Sequence, residues 1–161
     1  MVLRRTALPR EVRDRLRLER GERVLAHALS TDGTLVATTR ALHLPDGHPV
    51  PWQHIDRARW TDTGLRFTEE GVGQRVFTID RPGSLAEAVY ERVTASIVVA
   101  QHVPLPDEPS GRGIRLAARR APGGTEITWQ VHIDDGIDPD DPRLPDHTAR
   151  ALAAMREQMG V

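Results

Sequence analysis

The sequence predicts an α+β protein: a small antiparallel half-barrel of about seven strands capped by a helix, followed by a C-terminal β-hairpin and a second helix. Three observations lead there. Short alternating apolar segments run from Val24 to Ile79, each closed by a turn. An amphipathic helical pattern then begins at Ser84. After a proline-rich stretch, a further alternating pair spans Ile114 to Ile133. Such an architecture is a binding scaffold and announces no chemistry by itself.

Composition narrows the function classes. The 161 residues are 39% apolar and 28% charged, which suits one domain of about 100 residues plus an appendage. A formal net charge of -1 exerts no global pull toward nucleic acid or anionic membrane, so nucleic acid is not an expected partner. The absence of cysteine removes disulfides, thiol nucleophiles and thiolate metal sites, and it suits a reducing cytoplasm. Apolar runs such as Ile97 to Ala100 are far too short to cross a bilayer, and no apolar stretch follows Arg4 and Arg5. A soluble cytoplasmic protein without a signal peptide is therefore expected. Every basic residue is arginine, which excludes Schiff-base and phosphate-loop lysines; the arginine surplus is read as codon bias.

The elements follow in order. Residues 8–20 predict a helix with Pro9 near its start, Leu8, Val12 and Leu16 on one stripe, and Arg10, Arg13, Arg17 and Arg20 opposite. Glu11, Asp14 and Glu19 break the positive face, so a helix docked on the barrel is preferred to one lying on a membrane. Val24–Leu29 and Leu35–Thr39 flank a turn at Asp32-Gly33; Ala41–Leu44 ends at Pro45-Asp46-Gly47, and Val50–Trp52 lies between prolines as an edge strand. Ile55–Thr61 alternates so that Trp60 points inward while Arg57 and Arg59 point outward. Segments around Leu65 and Phe67, and around Phe77 and Ile79, complete the strands. Ser84 and Glu87 form a capping box, and Leu85, Val89, Val93 and Ile97 predict one buried stripe through about Gln101.

This order, over Gly21 to His102, resembles the pleckstrin-homology-like superfamily, particularly its bacterial members. Gly21-Glu22-Arg23-Val24-Leu25-Ala26 and Pro51-Trp52-Gln53-His54-Ile55, with Trp60 following, are similar to recurring strands of actinobacterial proteins. The resemblance implies a half-barrel closed by a helix. Lipid-binding members carry basic residues in the loop between their first two strands; here that loop is Ser30-Thr31-Asp32-Gly33-Thr34, with one acid and no base. Phosphoinositide is accordingly not an expected ligand.

Residues 103–112, with three prolines, predict an extended linker between residues 1–102 and an extension at 113–161. In the extension, Ile114, Leu116 and Ala118 alternate with Arg115, Ala117 and Arg119. Pro122-Gly123-Gly124 turns the chain into Ile127, Trp129, Val131 and Ile133. A last helix is predicted over Asp146 to Met159, with Asp146 as N-cap, Ala149, Leu152, Met155 and Met159 on one face, and Gly160 as terminator. An isolated hairpin is marginal in water, so its apolar face packs within the chain or against a second copy in a homodimer.

Four constellations bear on chemistry. Asp134 to Asp141 concentrates five carboxylates but misses the calcium-loop spacing, and is read as a solvated loop capping the next helix. His43, His48 and His54 share one stretch but fit no zinc spacing. Trp52, Arg57, Arg59 and Trp60 mix aromatics and guanidinium groups as a single-strand platform would, although core packing better explains Trp60. Ser30, Ser84, Ser96 and Ser110 include no nucleophile elbow.

The expectation is a non-enzymatic protein-interaction or scaffold module for a protein partner, with no cofactor and no metal. Arg57, Arg59, Arg115 and Arg119 are its candidate contact residues. The alternatives are a small-ligand or membrane-surface binder using the barrel mouth or basic helix, and an enzyme with an unrecognised site.

Overall fold

The computed structural model describes residues 7–161; Arg4 and Arg5 lie outside them. The chain divides into two compact units, Met1–Ser96 with Ala121–Gly124, and Ile97–Arg120 with Thr125–Val161.

The first unit opens with helix α1 (Arg10–Arg15) and then builds two meanders. Strands β1 (Val24–Ser30), β2 (Gly33–Thr38), β3 (Ala41–His43) and β4 (Pro49–Pro51) form one antiparallel sheet in chain order. After a single 3-10 turn at Trp52–His54, strands β5 (Ile55–Thr61), β6 (Gly64–Glu69) and β7 (Gly73–Thr78) form the second. A bridge between Ser30 and Ile79, with Thr31 N–H donating to Thr78 O at 3.1 Å, ties the end of β1 to the end of β7. Seven strands thus precede helix α2 (Ser84–Ala95), as the alternation predicts.

Burial follows the pleat. Leu35, Leu42, Val50, Trp52, Ile55, Leu65 and Phe67 from the two sheets, with Leu85 and Val89 from α2, form one core. Val36, on the opposite face of β2 from Leu35, is also buried at 1%, and Val12 of α1 at 7%. The short helix is anchored by Arg15, whose Nη1 donates to Pro45 O at 3.0 Å. The helix read over residues 8–20 is only six residues long. Leu16 is already extended at ψ 127°, so the long basic amphipathic face required for a membrane-surface helix does not form.

The second unit pairs β8 (Ile97–Pro104), β9 (Gly113–Arg120) and β10 (Ile127–Ile133) in the order β10-β9-β8, with helix α3 (Leu144–Met159). Its core gathers Leu105, Ile114, Leu116, Leu144 and Met155, with Val99, Val103, Trp129 and Leu152 packed against it. Arg156 lies 5.7 Å from the centroid of the Trp129 ring.

Three boundaries differ from expectation. The four-residue stripe suggests a helix to about Gln101, but α2 ends at Ala95 and Ile97 begins a strand, 39% exposed. The reason is local: Ile97-Val98-Val99 is a β-branched run that favours extended backbone, and Ile97 falls on the helical spacing by coincidence. The unit boundary therefore lies at Ser96, ahead of the expected limit at residue 102, and the first two residues of the expected linker complete β8. Ser84 is the first helical residue, with Gly83 at the N-cap and no side-chain capping bond, so the capping box does not form. Likewise α3 starts at Leu144, leaving Asp146 in its first turn rather than at the cap. Gly160 terminates it in the left-handed region at φ 73°.

No helix among the described residues is long and apolar enough to cross a membrane.

Two substitutions test the packing. Gly64 opens β6 at φ 153°, and a Cβ there would run into the Phe77 carbonyl oxygen. Gly64→Ala is expected to cost ~1–3 kcal/mol in chemical denaturation. Trp52 is 0% exposed, so Trp52→Ala is expected to cost ~3–5 kcal/mol in the same assay.

Candidate functional site

The three histidines that might have shared a metal are instead each matched to a different glutamate. His43 Nε2 lies 3.0 Å from Glu22 Oε2, His48 Nε2 lies 2.7 Å from Glu69 Oε2, and His54 Nε2 lies 3.8 Å from Glu70 Oε2. Arg75 adds a second cation to Glu69 at 3.0 Å. Among the described residues, no three His, Asp or Glu side chains come together as metal ligands.

The Glu22–His43 pair is the most buried of these, with both side chains 4% exposed. Burial pushes the Glu22 carboxyl up. The hydrogen bond to His43, the Glu19 N–H and the Thr38 hydroxyl together outweigh it, aided by the His43 charge, and hold it below the usual carboxylate range. The Thr38 hydroxyl lies 3.0 Å from Glu22 Oε2 and 3.1 Å from Ala41 O, and it accepts the N–H groups of Arg40 and Ala41. Thr38 is 0% exposed, and its oxygen is spent on the turn after β2. This cluster pins the segment before β1 to the β2–β3 corner.

Three of the five carboxylates of the acidic loop have partners within the chain. Asp134 accepts from Gly113 N–H at 2.8 Å and pairs with His102 at 2.6 Å. Asp138 accepts from Asp140 N–H. Asp141 takes Arg143 bidentately, at 3.0 and 2.7 Å, while Arg143 also reaches Glu108 at 3.1 Å. The Arg143 side chain and backbone N–H hold Asp141 down at about 2.

Of the four candidate arginines, Arg57 and Arg59 are exposed on β5, where Arg57 occupies a bulge at φ 51°. Arg115 is exposed on β9. Arg119 is not: it is 1% exposed and donates from Nη1 to Gln130 Oε1 at 3.2 Å. Alternation placed Arg119 on the right face of β9. Ala117 on that same face is buried too, and alternation alone does not show whether a face is covered. Trp52 cannot act as a stacking platform, since its ring is fully buried and Nε1 donates to Thr38 O at 2.8 Å. Trp60 packs on the core, as its alternation predicts.

A groove of about 510 Å³ runs along β1 of the first unit. Every residue from Val24 to Leu29 lines it, together with Leu8, Pro9 and Thr34, and with Arg81, Gly83 and Ser84 at the start of α2. Ala26 and Ala28 face the core, whereas Leu29 between them and the turn is 70% exposed. A cavity touched by both faces of one strand runs along its edge, where the backbone itself is accessible. Among the described residues β1 pairs only with β2, apart from the bridge at Ser30. Among the described residues no strand pairs with its other edge from Val24 to Leu29, which lines the groove. Side-chain reasoning missed this site because its recognition groups are backbone.

Two measurements follow. Glu22 is more acidic folded than unfolded, so its stabilisation is complete above its ordinary value of 4.5 and is lost as the pH falls below it. Glu22→Ala is expected to cost ~1–3 kcal/mol at neutral pH, leaving His43 and Thr38 buried without their partner, and to flatten the acid limb of the stability profile. Carboxyl NMR titration should find Asp141 at about 2, and Arg143→Ala should return it toward 3.8.

Comparison with protein-family models, with curated proteins and with solved structures found no match.

Proposed function

We propose that this chain is a non-enzymatic protein-interaction module, and that its partner binds as an extended peptide adding a strand to the open edge of β1. The observation that supports this reading is the groove lined by both faces of Val24–Leu29. Strand addition gains its affinity from main-chain hydrogen bonds and its selectivity from alternate side chains. Leu25 and Leu29 on one face of β1 favour apolar residues at every second peptide position, and Arg81 on the far wall favours an acidic one. β1 carries no Asp, Glu, Lys or Arg that would repel an incoming strand and its register shift lies at its very start, between Val24 and Ala26, whereas β5 carries two exposed arginines around its bulge. The fold we propose for this unit is a pleckstrin-homology-like half-barrel: its four-plus-three strand arrangement, its bridge at Ser30 and its following helix support it. A cysteine-free sequence suits the reducing cytoplasm we propose as its location.

The test is a positional-scanning library of short extended peptides, read by fluorescence polarisation and by amide hydrogen exchange. The expected binders alternate apolar residues and slow exchange over Val24–Leu29. Leu29→Arg is expected to weaken them about tenfold, ~1.4 kcal/mol, and Arg81→Glu to reverse the preference for an acid. Binding that leaves the β1 amides unprotected, or that is indifferent to both substitutions, would overturn the proposal.

A further inference from the structure

At the end of β1 away from the Ser30–Thr34 turn, the first unit carries a shallow basin of about 310 Å³. Gly21, Arg23, Thr39, Arg40 and Arg92 line it, and no Asp or Glu does. The chain as a whole balances 22 basic against 23 acidic residues, so three guanidinium groups in one acid-free concavity are a local excess and not a reflection of composition.

The fold builds the convergence. Arg23 lies immediately before β1 and Thr39 immediately after β2, and together they continue the pairing of those strands. The Arg23 N–H donates to Thr39 Oγ1 at 3.1 Å, and the Thr39 N–H donates to Arg23 O at 2.9 Å. Arg40 follows, with its N–H donating to the Thr38 hydroxyl at 3.2 Å and its carbonyl accepting the Trp52 N–H at 3.3 Å. Arg92 enters from the last turn of α2, where it is half-buried. Backbone bonds to buried residues therefore place two of these arginines, and a helix places the third. Arg40 Nη1 is matched to Glu19 Oε2 at 2.9 Å. Among the described residues, neither Arg23 nor Arg92 has a carboxylate within ion-pair distance or a side-chain hydrogen bond. Thr39 Oγ1 accepts from Arg23, which leaves its hydroxyl hydrogen to donate.

We propose that this basin binds a phosphate group, as inorganic phosphate or as the phosphoryl end of a small soluble ester. Charge and extent select the occupant. Two guanidinium groups without acids match the charge of roughly −1.5 to −2 that a phosphate monoester carries at neutral pH. Their planar forks present paired donors to its oxygens, and Thr39 adds a hydroxyl. A monocarboxylate brings about half that charge. The neighbouring cavity that shares Arg40 sets Glu19 and Glu22 against Arg17, so the positive region is bounded. A compact dianion fits within that boundary, whereas a nucleic-acid strand or an anionic bilayer would run onto the acids. A phosphate held there ties the start of β1 to the last turn of α2 and stabilises the fold by mass action.

Titration calorimetry of the full chain with inorganic phosphate and with pyrophosphate, in low-salt buffer, tests this alongside thermal unfolding. The expected result is one saturable site, a raised unfolding midpoint, and an affinity that falls as salt rises. Acetate is expected to bind at least about tenfold more weakly. Arg23→Gln and Arg92→Gln are each expected to weaken phosphate binding about tenfold, and Arg23→Lys and Arg92→Lys, which keep the charge, to recover part of it. Arg57→Gln with Arg59→Gln on β5 is the control and should leave the affinity unchanged. Absence of binding by either anion at low salt overturns the proposal. So does binding that the combined Arg23→Gln and Arg92→Gln variant retains, or a loss that the β5 control reproduces. Capture by phosphatidic-acid vesicles without binding of free phosphate overturns it as well, and would assign these arginines to a bilayer. The peptide test at β1 reads Leu29 and Arg81, so the two proposals fail separately.

Discussion

The first unit depends on the satisfaction of one buried residue, Thr38. Its carbonyl receives the indole of Trp52, the largest fully buried side chain, and its hydroxyl meets Glu22, the backbone of Arg40 and the backbone of Ala41. Three otherwise unrelated things are thereby fixed together: the β2–β3 corner, the core between the sheets, and the segment that leads into β1. Each of these polar groups would be costly if left alone in the interior, and none is stable there without the others. Because Glu22 lies two residues before β1, this network also sets where β1 begins.

Edges give the structure its functional asymmetry. Every sheet here is open, so each must dispose of two rows of backbone groups. The chain does so by shortness and proline at β4, by a bulge and arginines at β5, and by a charge at β7. At β1 no charged side chain guards the edge, its register shift is confined to the start of the strand between Val24 and Ala26, and a groove runs beside it. In the reading proposed above, specificity is carried by which strand edge is left available.

Much of the fold was legible in the sequence. The alternation around Leu35, Leu42, Leu65 and Phe67, the turn at Asp32-Gly33, and the hairpin pairing Trp129 with Ala118 all follow from period and turn chemistry. What was not legible has physical causes. The stripe through Leu85, Val89 and Val93 continues to Ile97 although the helix does not, because helical spacing and β-branching compete at its end. Arg119 was read as solvent-facing because pleating gives a side, not a burial. The histidines looked like a cluster in sequence, but their partners come from glutamates on other strands and loops, and no local spacing reveals those. The groove along β1 consists of backbone, which no residue pattern names.

The strand order within each sheet carries a consequence for how the chain reaches this state. All three sheets are meanders in which every strand pairs with its neighbour in sequence. Most native contacts therefore close short loops at small entropic cost, which favours rapid hairpin formation. The Ser30–Ile79 bridge is different, since it joins strands at opposite ends of the first unit and rewards the chain only after both meanders exist. Joining the two sheets thus closes a far longer loop than any hairpin does, and it is the step that completes the end of β1. Until then β1 has an open edge along its whole length, and during synthesis that edge is exposed to any other nascent strand nearby.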